Sequence, residues 1–109
     1  MGYIAHHAIA VTASDKGNAN TGRQKAESMG LQCTDIVGSN TNGYYSFLII
    51  PDGSKEGWDA SDKGNHARKE WCDWARDAYA QNVWLDWVLV RFGGDDPDRA
   101  SIDDHNGLG

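Results

Sequence analysis

The sequence predicts an α+β domain: two helices covering one face of an antiparallel sheet of about four strands, in the order βαββαβ. Three observations point there. Residues 44–50 (YYSFLII) and 83–92 (VWLDWVLVRF) are aromatic and β-branched runs of strand length. Between them, Ala67, Trp71, Trp74, Ala75 and Ala78 recur on one face of an amphipathic helix whose other face is charged. Asn42-Gly43 and Pro51-Asp52-Gly53-Ser54 bracket the first of these strands with turn chemistry: Asn-Gly suits two successive positive φ values, and proline presets the second turn.

The first strand is expected over residues 3–12 (YIAHHAIAVT), which end in a polar cluster. Ser14 or Asp15 can cap a helix, although Gly17, Asn18 and Asn20 weaken its first turn. Ala19, Gly22, Ala26 and Met29 then fall at helical spacing, and Gly30 supplies a stop. This stripe is made of small residues, so the helix must lie close to what it covers. Residues 31–38 (LQCTDIVG) read as a second strand. Asp59 or Ser61 offers a cap for the long helix, and Asn82 ends it. Asp86, inside the last apolar strand, points to solvent or an interface. The domain is expected to span residues 1–94, with 95–109 as an acidic, mobile or partner-ordered tail.

The net charge of −6 is concentrated at that end, where five aspartates stand against Arg99 alone. No basic stripe of the kind that holds duplex nucleic acid is present. No apolar run is long enough to cross a bilayer, and the N-terminal stretch lacks the basic residues of a secretion signal. The expected setting is therefore cytoplasmic, with Cys33 and Cys72 as reduced, buried thiols.

Chemistry-bearing clusters are sparse. His6 and His7 are neighbours on a strand and point to opposite faces, so they do not grip one metal. No cysteine–histidine set has zinc spacing, and no glycine-rich phosphate loop occurs. Neither a metal nor a cofactor is expected. Cys72, within an aromatic helix, is expected to be inert packing. Of the five tryptophans, Trp71 and Trp74 share a broad helix face, for which helix–sheet packing is the simpler reading. Trp84 and Trp87, three apart on a strand, face opposite sides, so one of them is exposed or covered by a partner. Aromatic rings also stack on nucleobases, and guanidinium groups grip phosphates. Arg23, Arg68, Arg91 and Arg99 are available for that.

The string Asn42-Gly43-Tyr44-Tyr45-Ser46-Phe47-Leu48-Ile49, then Pro51-Asp52-Gly53-Ser54-Lys55-Glu56-Gly57-Trp58 and Ser61-Asp62, resembles the Thoeris anti-defence family of phages, of the first described type. Gly2-Tyr3-Ile4-Ala5-His6-His7-Ala8-Ile9 and Leu85-Asp86-Trp87-Val88 fit as well, so the resemblance covers most of residues 1–92. It implies a sponge that sequesters cyclic ADP-ribose isomers made by bacterial TIR-domain proteins, without cleaving them. It also implies dimers that assemble into hexamers, and in some members cyclic oligonucleotides at separate sites. Pockets of this family set an aromatic ring against adenine, arginines on the pyrophosphate and an amide beside them. Carried onto this sequence, Trp71 would stack, Arg23 and Arg99 would hold phosphates, and Asn82 would supply the polar contact. Arg99 lies beyond the region of resemblance. Tyr45 would line the pocket at the start of the strongest strand.

The expectation is thus a binding protein, not an enzyme, with a small anionic nucleotide as ligand and a homo-oligomeric state. The rivals are a small acidic inhibitor that docks on a host or defence enzyme, and a small hydrolase of cyclic nucleotides.

Overall fold

Alternation in the first strand sets the whole architecture. In the computed structural model, which describes residues 4–95 and 100–106, strand β1 (His6–Ala13) turns Ile9, Val11 and Ala13 inward and leaves Ala10 exposed. Helix α1 (Lys16–Ser28), strands β2 (Val37–Gly38) and β3 (Tyr45–Ile49), and helix α2 (Asp59–Asp77) follow. A turn of 3₁₀ helix (Ala78–Gln81) leads to β4 (Asp86–Phe92) and β5 (Ser101–His105). The sheet order is β2-β3-β1-β4-β5, every neighbouring pair being antiparallel. Without β5 this is the pairing of the split βαββαβ motif.

Register decides which side chains form the core. Ile9 stands between Ile49 and Leu89, and Val11 between Phe47 and Trp87. Both helices pack on that face: Ala19 and Ala26 from α1, and Trp71, Cys72 and Ala75 from α2, join the same buried cluster. The small-residue stripe of α1 has the expected consequence, since a Cβ on Gly22 would lie 3.0 Å from Leu85. The opposite face of the sheet carries Leu48, Ala10, Val88 and Val90 in neighbouring strands, with no charged side chain among them.

Capping follows the sequence closely at α1. Asp15 accepts the backbone N–H of Asn18 at 2.7 Å, and this cap offsets the glycine and asparagines of the first turn. Asn42 and Gly43 both adopt positive φ, at 64° and 68°. For α2 neither expected cap serves: the helix starts at Asp59, after Trp58, with no side-chain cap bond.

Two further expectations are corrected. The second strand shrinks from residues 31–38 to Val37–Gly38, with one isolated bridge between Cys33 and Ile49. The cause is local. Arg23 takes the carbonyl of Thr34, and the amide of Leu48 bonds to the Thr34 hydroxyl instead, so the ladder is interrupted. The C-terminal segment is not simply a mobile tail, because Ser101–His105 forms an edge strand on β4. Its aspartates are compatible with an edge position, and Asn106 anchors its end by accepting the Trp87 N–H and donating to Trp87's carbonyl. Among the described residues, no helix is long and apolar enough to cross a membrane.

Candidate functional site

The residues carried over from the resemblance are dispersed. Trp71 is completely buried: its ring packs 5.9 Å from those of Trp74 and Trp87, and its indole N–H donates to the Gly22 carbonyl at 3.0 Å. It has no free face for a base, so it belongs to the core. Arg23 spends its guanidinium on the Thr34 carbonyl at 2.8 Å and on Glu27 at 2.7 Å, with Asp35 at 3.9 Å. Tyr45 is half-buried beside Gly38 and paired with Ala13. Asn82, at φ 64°, closes the 3₁₀ turn with its backbone N–H, and is exposed. Arg99 lies outside the described residues. None of the four described positions lines any of three prominent cavities among the described residues.

A different set does share a cleft. Where β1 ends, β3 begins, α2 ends and β4 begins, a cavity of about 570 Å³ opens. That is within the ~300–1,000 Å³ usual for small-molecule sites. Tyr44, Tyr79 and Trp84 stand around it with 42%, 55% and 59% of their surfaces exposed. The rings of Tyr79 and Trp84 lie 5.9 Å apart, inclined at 45°. Trp87, by contrast, is 3% exposed, which settles which member of that pair faces outward. Sequence reasoning missed this grouping. The available signal was positional: each of the three aromatics sits at the end of an element, and the topology gathers those ends together.

The charged groups of the cleft are already engaged. Arg76 pairs with Asp104 at 2.5 Å and with Asp73 at 3.2 Å, and its guanidinium carbon lies 5.4 Å from the centre of the Trp87 ring. Partial burial pushes the Asp104 carboxyl up. The hydrogen bonds from Arg76 and the His105 backbone, together with the Arg76 charge, more than offset this and hold it below the usual carboxylate range. Asn106 donates to Asp86 at 3.0 Å. The cleft therefore offers stacking surface freely, and its guanidinium only by exchange with Asp104.

Elsewhere, several titratable groups have local partners. His7 bonds to Glu56 at 2.7 Å and lies 4.0 Å from Asp103, while the Ser61 hydroxyl faces Glu56 at 3.5 Å. This links the segment before α2 to β1 and β5 without setting Ser61 against the imidazole. Cys33 and Cys72 are free thiols. Burial, followed by the nearby Asp104 charge, pushes the Cys72 thiol up to about 12, which makes it unreactive at neutral pH. Among the described residues, no group of three or more histidine, cysteine, aspartate or glutamate side chains could hold a metal ion. No protein-family model, curated protein or solved structure matches the chain.

Proposed function

We propose that this protein captures a cyclic nucleotide-type immune messenger and holds it intact, as a phage anti-defence sponge for cyclic ADP-ribose isomers would. The observation that carries the reading is the convergence of Tyr44, Tyr79 and Trp84 on one cleft. Base–aromatic stacking contributes ~1–3 kcal/mol per base, and an adenine-bearing ligand presents the π-face that such rings accept. Sequestration needs affinity and no transition-state machinery. The cleft residues include neither histidine nor cysteine, in keeping with storage of the ligand over its hydrolysis. Cyclic oligonucleotides offer the same stacking chemistry and are alternative guests.

On this reading the protein works in the host cytoplasm and self-associates as a dimer or hexamer. The apolar side chains of Leu48, Ala10, Val88 and Val90 on the outer face of the sheet support self-association, with Asp35 and Asp86 at the margins of that patch. Light scattering at micromolar concentration tests that part separately.

The capture reading is tested by incubating the protein with cyclic ADP-ribose isomers, or with cyclic oligonucleotides, then filtering, heat-denaturing and analysing what is released. Intact ligand supports the sponge. Degraded ligand points to a hydrolase, and no retained ligand of any kind points to an acidic inhibitor that acts by docking on another protein.

A further inference from the structure

A second cavity lies at the other end of α2, between the C-terminus of α1, the turn at Asp52 and the first half of α2. It measures about 430 Å³, roughly fourteen times the volume share of a water molecule. Met29, Leu31 and Ile50 supply apolar wall, while Lys63 and Arg68 supply positive charge. We infer that this cavity binds a short organic carboxylate, its head on Arg68 and Lys63 and its apolar body against Met29, Leu31 and Ile50.

Arg68 anchors the site. It is 2% exposed, and a charge so buried needs a well-matched partner. The protein supplies a loose one. Asp52 commits one carboxylate oxygen to the Ser54 amide at 2.9 Å and hydroxyl at 2.6 Å. Its other oxygen lies 3.4 Å from Arg68 Nη1, longer than the ~2.7–2.9 Å of a close charge-assisted bond. Arg68 Nη2 donates at 2.7 Å to the neutral oxygen of Asn65. No carboxylate therefore engages the guanidinium fork with two parallel bonds, the geometry that a planar carboxylate matches best.

Asp52 also lines the cavity and covers Arg68, so a ligand carboxylate reaches the guanidinium by exchange with this loosely held partner. Gly64 lies on α2 beside the guanidinium; a Cβ there would collide with the Asp52 carboxylate and come within 3.2 Å of Arg68 Nη1. Lys63, one residue earlier and exposed, lines the same cavity. The apolar wall favours an acid with a hydrocarbon body over a bare, strongly hydrated ion. This site is independent of the aromatic cleft, so its failure would leave the capture reading untouched.

Isothermal titration at low ionic strength tests it, with 3-methylbutanoate, acetate and inorganic phosphate as probes and wild type, Lys63→Ala and Arg68→Lys as proteins. We expect saturable binding of 3-methylbutanoate, about tenfold tighter than acetate and tighter than phosphate. Arg68→Lys keeps the charge but loses the fork and should weaken binding about tenfold; Lys63→Ala, at an exposed position, about threefold. Tighter binding of phosphate would overturn the carboxylate assignment. No saturable binding of any probe, or undiminished binding in Lys63→Ala, would overturn the site, whether or not Arg68→Lys folds.

Discussion

Trp71 donates its indole N–H to the carbonyl of Gly22 at 3.0 Å, inside the core and across the junction of the two helices. The bond requires α1 and α2 to approach closely, and the small residues of α1 allow it. Truncating Trp71 to Ala should cost about 3–5 kcal/mol by chemical denaturation. Trp71→Phe should cost less but leave the Gly22 carbonyl unpaired, about 1–3 kcal/mol. Both variants, where folded, should capture ligand as wild type does. A folded Trp71→Phe protein that captures nothing would return Trp71 to the binding site.

Arg23 is explained by the same kind of internal bond. Replacing it with Met should free the Thr34 carbonyl and cost about 1 kcal/mol. Hydrogen exchange should quicken at the amides of Thr34 and Leu48, which pair across the interrupted ladder. Ligand affinity should not change. An affinity loss with exchange unaltered would show that Arg23 serves a phosphate instead.

Acid should weaken the fold through Asp52 and Asp104. Burial pushes both carboxyls up, but their hydrogen bonds and neighbouring arginine charges more than offset it, so both lie below the usual carboxylate range. A depressed folded pKa gives stability that is present above the unfolded value of ~3.9 and is lost as pH falls through the folded value. Urea midpoints should thus be insensitive to these two groups above about pH 5 and fall below about pH 4. Asp104 is partly exposed, and solvent screening keeps its share under about 1 kcal/mol. Asp104→Asn should show a smaller acid loss than wild type; an identical loss would contradict the assignment.

The same substitution bears on the cleft. Asp104 occupies the guanidinium of Arg76, so Asp104→Asn should raise affinity for an anionic messenger about two- to fivefold, the worth of an exposed ion pair. A decrease on titration would mean that Arg76 takes no part in holding the ligand.

Most of the fold was legible because its signals are local. The runs around Tyr45–Ile49 and Asp86–Phe92, the Asp15 cap and the positive φ at Asn42 and Gly43 are each dictated by neighbouring residues. The short second strand was not legible, since Arg23 breaks its ladder from eleven residues away. Nor was β5, whose residues show little strand character and are held by Trp87 and Arg76 across the fold. The site failed for a related reason. Neither Trp71, between Glu70 and Cys72, nor Trp84, between Val83 and Leu85, carries a local sign of its burial; only tertiary packing buries the first and leaves the second 59% exposed.

The central claim is that Trp84, with Tyr44 and Tyr79, forms the stacking surface of a capture site. Titrating a cyclic ADP-ribose isomer into wild type and into Trp84→Ala tests it most directly, because Trp84 is exposed and its loss should leave the fold intact. The account predicts saturable binding to wild type and at least about a tenfold loss in a Trp84→Ala protein with an unchanged melting temperature. Equal affinity in the two proteins would contradict it.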